Sequence, residues 1–288
     1  MKKIVLALTA LSLSGSAHAA VTTIYVHGFH FSIQKTETAK TCQGQTTCTS
    51  YWGQQDNSSP VVHTGYDGRF NPTVAGAERG STRLLENLNK YCRRDRGQSC
   101  RIVNHSMGGL VSGFVLANYN RNNIYNVLYV TALVSAEGGS ELANIGNPVL
   151  QTLNVITLGL SNFFLNFPDA VAVLKTSAAR GSYDHNLTNG TPFYHLAGNT
   201  PEWYINWIFP GSHDTVLAMH STCSYRNVES FTRCGGQSAT TGIWPFRSTK
   251  TYAAHSNHFP HPRHSVNGVG VKHLDYPNQA NLVKANPF

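Results

Sequence analysis

The sequence predicts an α/β protein: one mostly parallel sheet with helices on both faces, three layers in all. Short β-branched or apolar runs alternate along the chain with segments of helical periodicity, the pattern of strand, crossover helix and parallel strand. Near the middle, Arg101-Ile102-Val103 leads directly through Asn104-His105-Ser106-Met107-Gly108-Gly109 into such a helix. No linker-like or low-complexity stretch divides residues 20–288, so one domain is expected there.

Residues 1–19 stand apart. Lys2 and Lys3 precede an apolar run from Ile4 to Leu13, and Ala17-His18-Ala19 places small residues at −3 and −1 of a cleavage site. This is the pattern of a secretory signal peptide cut before Ala20, which places the mature protein outside the cytoplasm, extracellular or periplasmic. The six cysteines all follow it, in close pairs: Cys42 with Cys48, Cys92 with Cys100, and Cys223 with Cys234. An even count in an exported chain argues for three local disulfides, although six cysteines allow about 15 connectivities and the others stay open. No pair has the C-x-x-C spacing of a zinc or redox site.

The whole chain carries 22 Lys and Arg against 14 Asp and Glu, a formal net charge of +8, which falls to +6 without Lys2 and Lys3. The basic residues are scattered apart from Arg93-Arg94-Asp95-Arg96, and no basic helix is interleaved with aromatics. A soluble basic exported protein is expected, not a nucleic-acid binder.

Thr22-Thr23-Ile24-Tyr25-Val26 is the first expected strand, ending in His27-Gly28-Phe29. The next forty residues read as a polar loop. Asn71-Pro72 then reads as an N-cap with proline at the first helical position, and Val74, Ala77, Leu84, Leu85 and Leu88 extend that helix to about Cys92. After the Arg101–Val103 strand, Met107, Leu110, Val111, Phe114 and Val115 share one helical face, and residues 127–134 form another buried strand.

Residues 149–167 contain no charge and are long enough to suggest a membrane span. Gln151, Asn154, Asn162 and Asn166 interrupt them and Pro168 closes them, so the better reading is an apolar cap or lid, an insertion over about residues 142–180, with no transmembrane anchor. Residues 193–198 form a further strand, followed by an aromatic loop with Trp203, Tyr204, Trp207, Ile208 and Phe209 that either lines an apolar pocket or packs. Asp214 then stands in a loop, and His273 follows Val269-Gly270-Val271.

Small residues after Ser106 let the helix pass close to the strand, so the serine can occupy a strained turn with its hydroxyl exposed above the sheet. A serine hydroxyl needs a base to take its proton and a buried acid to orient that base. The chain order Ser106, Asp214, His273 provides nucleophile, acid and base, and the backbone N–H groups of Phe29 and Met107 are placed to receive a developing oxyanion. Rivals exist: Asp169 and Asp184 for the acid, and His255, His258, His261 and His264 for the base. Those four histidines recur every third residue among prolines, a spacing that also aligns them for a metal in polyproline II geometry. Asn104 stands where the G-x-S-x-G elbow has glycine.

These motifs resemble the secreted bacterial lipases of the α/β-hydrolase superfamily. The resemblance covers Val26-His27-Gly28-Phe29, His105-Ser106-Met107-Gly108-Gly109, Gly138-Gly139-Ser140-Glu141-Leu142-Ala143, Leu174-Lys175-Thr176 with Asn186, Asp214, and His273-Leu274-Asp275 with Asn278-Gln279, in the family's order over almost the whole mature chain. It implies an α/β-hydrolase fold and a hydrolase of carboxylic esters; the apolar cap and the aromatic loop favour hydrophobic acyl chains, with a lipid–water interface, a polymer surface and a soluble ester all open as the place of action. Ser106 is then the nucleophile, His273 the base, Asp214 the acid, and Phe29 and Met107 the oxyanion donors. In that family the aspartate two residues after the histidine can bind a structural calcium, which makes Asp275 the candidate ligand; no second carboxylate stands out for an ion that takes six to eight oxygens. No other cofactor is implied. A polyester depolymerase or an acyltransferase would use the same three residues, and a secreted lipid- or carbohydrate-binding protein with an inert serine turn is the reading from another class.

Overall fold

The computed structural model describes residues 20–29, 42–46, 48–52, 59–145, 167–185, 187–198, 200, 205–209, 213–219, 221–222, 237–241, 248–252 and 272–273. Its centre is a five-stranded sheet of β1 (Thr22–Val26), β2 (Val61–Thr64), β3 (Cys100–His105), β4 (Val127–Leu133) and β5 (Phe193–Leu196), in the order β2-β1-β3-β4-β5. Every pairing in it is parallel. A separate antiparallel pair joins β6 (Gln237–Thr241) to β7 (Ser248–Tyr252).

The strand alternation sorts side chains to two faces. Ile24, Val26 and Ile102 point into the main core, where they meet Leu84 and Leu88 of helix α2 (Gly80–Tyr91) and Leu110, Val111 and Val115 of helix α3 (Met107–Tyr119). Tyr25, Val103, Leu133 and Leu196 point the other way and pack with Trp52 from the short helix α1 (Thr49–Trp52). The sheet is therefore covered on both faces, as parallel sheets require to bury their strands. Helix α3 is buried nearly all round, so its apolar residues are not confined to a stripe.

Two sequence expectations change. The helix expected from Asn71 begins only at Gly80, because Asn71 Oδ1 instead accepts the Thr73 N–H at 3.0 Å and the Thr73 hydroxyl at 2.9 Å, closing a local turn. Val74, counted as part of the helical stripe, is exposed. Within the stretch read as loop, Val61-Val62-His63-Thr64 forms the fully buried edge strand β2. Four residues, one of them a histidine, carry too little periodicity to announce a strand; pairing with β1 makes it one.

Cys42–Cys48 and Cys92–Cys100 are joined as disulfides, the second tying the end of α2 to the start of β3. Cys223 and Cys234, the expected signal peptide, the central part of the expected cap, the four-histidine stretch, Asn186, Asn278, Gln279 and Asp275 lie outside the described residues. Helices α4 (Pro168–Leu174) and α5 (Thr176–Gly181) cover the last part of the segment expected to form the cap. Among the described residues no helix is long and apolar enough to cross a membrane.

Chain order runs outward from β1 to β2 on one side and from β1 to β3, β4 and β5 on the other. The reversal falls between β1 and β3, and in open parallel sheets the carboxyl ends of the strands at such a point are the usual place for a ligand. His27-Gly28-Phe29 leave β1 there, and Ser106 leaves β3 beside them.

Candidate active site

Ser106 sits between β3 and α3 at φ 53° and ψ −126°, a left-handed region that a side chain rarely adopts. The surroundings hold it there. The Ser106 N–H donates to Leu133 O at 3.0 Å, and its carbonyl accepts from the N–H groups of Gly109 and Ala136, both at 2.9 Å. Gly108 is obligatory, because a β-carbon on it would lie 2.2 Å from the Val26 carbonyl oxygen. The small residues after the serine do allow a close passage of helix over strand, but the strand approached is β1, beside the one that leads into Ser106.

Asn104, the departure from the usual glycine, is fully buried on β3, with Gly109 and Ser135 close by. A β-carbon on Gly109 would be 3.2 Å from Asn104 Oδ1 and 1.7 Å from Ser135 Oγ. Small neighbours thus make the room for asparagine that the glycine otherwise leaves.

The hydroxyl of Ser106 is 2.9 Å from His273 Nε2, and His273 Nδ1 is 2.8 Å from Asp214 Oδ2. Asp214 and His273 are buried. Asp214 Oδ1 accepts the N–H groups of Val216 at 2.9 Å and Leu217 at 2.7 Å, so the carboxylate is fixed by its own turn and aims its second oxygen at the imidazole. The histidine backbone is held as well: its N–H reaches Asp214 O at 3.4 Å. A carboxylate accepting from Nδ1–H leaves Nε2 bare, which is the tautomer needed to take the serine proton.

The expected oxyanion donors border the same spot. Met107 opens α3, whose first N–H groups have no acceptor within the helix. Gly28 abuts Ser106, and a β-carbon on Gly68 would meet Phe29 Cα at 3.2 Å and Met107 Cε at 3.3 Å. The Phe29 ring packs against Phe167 at 5.3 Å between centroids, joining the turn after β1 to the residue that precedes α4.

The rival acids do not take part: Asp169 and Asp184 are both exposed. Of the aromatic loop, Ile208 and Phe209 pack into the core, Trp207 is exposed, and residues 203 and 204 lie outside the described residues. Among the described residues no group of three His, Cys, Asp or Glu is arranged to hold a metal ion; Asp275, the candidate calcium ligand, lies outside them.

Two residues join the site that sequence reasoning left without a role. Tyr51 Oη accepts the Gly28 N–H at 2.9 Å and bonds to His105 Nδ1, while His105 Nε2 lies 2.9 Å from His273 O. His105 stood in the serine motif and Tyr51 in the stretch read as a polar loop, and no local spacing signals that they meet across the sheet. Burial, with the nearby His273 and His27 adding to it, holds the His105 imidazole well below the usual histidine range, so it is neutral.

Residues 19–138 match the family model described as "Putative serine esterase (DUF676)". The matched span contains Ser106 and ends before Asp214 and His273. The chain is similar to "Triacylglycerol lipase 2" of Saccharomyces cerevisiae, 24% identical over 125 residues, covering 42% of this chain and 36% of that protein. The chain thus spans little more than a third of that relative's length. Among solved structures, the mature form of the Bacillus licheniformis lipase BlEst2 superposes with a TM-score of 0.51 at 17% identity, covering 93% of this chain and 90% of the lipase. The shared architecture is the α/β-hydrolase fold.

Proposed function

We propose that this chain, an α/β-hydrolase of the lipase and esterase class, hydrolyses carboxylic esters of hydrophobic acyl chains through an acyl-enzyme on Ser106. The observation that carries the reading is the unbroken series Ser106 Oγ, His273 Nε2, His273 Nδ1, Asp214 Oδ2, with 2.9 and 2.8 Å between partners. His273 takes the serine proton as Oγ attacks the ester carbonyl, and the imidazolium that forms is stabilised by Asp214. The tetrahedral oxyanion is received by the N–H groups of Phe29 and Met107, each worth about 3 to 4 kcal/mol in a comparable site. His273 returns the proton to the departing alcohol, and water, activated by the same imidazole, releases the acid.

The hydrophobic acyl group is supported by the uncharged residues 149–167, by the Phe29–Phe167 contact, and by the triacylglycerol lipase among the similar proteins. We assign one catalytic domain to residues 20–288 with the apolar cap over about 142–180. Export of the mature protein is supported by the leader-like residues 1–19 and by the two disulfides, which persist in oxidising compartments. A fluorophosphonate probe tests the reading: it should label the wild-type protein and not Ser106→Ala. A folded wild-type protein that takes no label would favour an inert binding protein instead. Rates across short esters, long triglycerides and polyester granules then separate esterase, lipase and depolymerase.

A further inference from the structure

We infer that Tyr51 and His105 are positioning residues that lock the turn after β1 and the His273 loop to each other, so that oxyanion donor and base are held in register over Ser106. The inference rests on the hydrolase reading above and adds a part to it that the serine, histidine and aspartate do not contain.

The direction of every hydrogen bond in the series follows from chemistry. The His273 carbonyl can only accept, so His105 Nε2 must carry the proton that bridges the 2.9 Å to it. A neutral imidazole protonated at Nε2 has a bare Nδ1, which accepts the Tyr51 hydroxyl. Burial pushes the Tyr51 phenol up, so it keeps the proton it donates. The phenol oxygen in turn accepts the Gly28 N–H at 2.9 Å. The run is therefore Gly28 N–H to Tyr51 Oη–H to His105 Nδ1, then Nε2–H to the His273 carbonyl, with each donor aligned the same way.

Its two ends are the two segments whose relative position sets the reaction geometry. One end is the residue before Phe29, the expected first oxyanion donor. The other is the backbone of the base, whose ring is already tied to Asp214 and Ser106. His105 precedes the nucleophile in sequence, so one imidazole tethers the base from the nucleophile's own strand. The Tyr51 and His105 rings stand at 62° and 5.6 Å, and the His105 and His273 rings at 5.0 Å, so the series is packed as well as bonded. Neither Tyr51 nor His105 touches the reacting atoms, and their effect must pass through placement.

The test compares Tyr51→Phe, His105→Leu and His105→Gln with wild type in ester turnover and in the rate of fluorophosphonate labelling. Glutamine puts an N–H donor near the former Nε2 and so can still hold the His273 carbonyl; leucine cannot. Tyr51→Phe and His105→Leu should lower kcat and the labelling rate by about 10- to 100-fold, the range for removing a group that orients a reacting residue. KM should stay within about two-fold and the thermal midpoint should show a folded protein, with His105→Gln recovering most of the lost kcat. Wild-type kcat in a folded Tyr51→Phe overturns the inference, as does His105→Gln performing no better than His105→Leu. If His105→Leu does not fold, Tyr51→Phe decides, since it removes a single oxygen. A wild-type protein that takes no label withdraws the hydrolase reading and this inference together; a labelled wild type with equally labelled variants withdraws this inference alone.

Discussion

Gly28 stands so close to Ser106 that a β-carbon on residue 28 would lie 2.6 Å from the serine Cβ, 2.8 Å from Tyr51 Oη and 2.9 Å from the His105 carbonyl oxygen. Two of these neighbours are fixed by the elbow, so Gly28→Ala must move the turn after β1. Such overpacking typically costs about 1 to 3 kcal/mol. Displacing the Phe29 N–H by about an ångström should lower kcat/KM by about 100-fold. Steady-state kinetics with a thermal melt checks this, and unchanged kinetics would place the oxyanion donor elsewhere.

Removing either partner of the base should leave folding intact and turnover nearly abolished. Asp214→Asn keeps the shape but cannot hold Nδ1–H as a carboxylate does, and should cost about 10⁴-fold in kcat. His273→Ala should cost at least as much, because among the described residues His273 is the base that bonds the serine hydroxyl, and the double variant should be little worse than the worse single one. Activity retained in His273→Ala would transfer the base role to one of the four histidines at 255, 258, 261 and 264.

The Cys92–Cys100 disulfide closes a loop of separation 8 and ties α2 to β3, the strand that carries Ser106. Loop-closure entropy for a ring of that size is about 2.5 kcal/mol. Cys92→Ala with Cys100→Ala should therefore lower the denaturation midpoint by a corresponding amount. A chemical melt with and without the bridge measures it, and a shift near zero would mean the unfolded chain already keeps these ends together.

Acid should destabilise the fold through histidines buried neutral. Burial, with His27 adding to it, pulls His63 down to about 3; burial pulls His213 down to about 4 against the opposing pull of Asp214 and Glu141. The unfolded chain binds these protons near pH 6.5, so between about 6.5 and the folded values it holds more protons than the native state, and stability rises with pH. The loss on acidification should approach 1.4 kcal/mol per pH step for each such group. His63→Asn should flatten the dependence of the urea midpoint between about pH 6 and 4, which unfolding curves at several pH values would show; an unchanged slope would mean that His63 titrates normally in the folded protein.

Features that depend on neighbours in sequence were legible before any coordinates. The strand at 22–26, the strand around 101–103, the helix after Ser106 and the two disulfides among the described residues follow from short-range pattern: β-branched runs, helical spacing, glycines where a helix crosses a strand, cysteines a few residues apart. The order Ser106, Asp214, His273 was also readable, because chain order survives folding. Local competition misled where it was subtle: Asn71 carries a capping side chain but spends it on Thr73, so α2 starts at Gly80. Tertiary packing decided what no window of sequence contains. The pairing with β1 turned Val61–Thr64 into a strand, the small residues opposite made room for Asn104, and sheet geometry carried Tyr51 and His105 to residues 23 and 168 positions away. The physical reason is that propensity and periodicity act over a few residues, whereas a hydrogen bond between distant side chains exists only after the loop entropy between them has been overcome by burial elsewhere in the core.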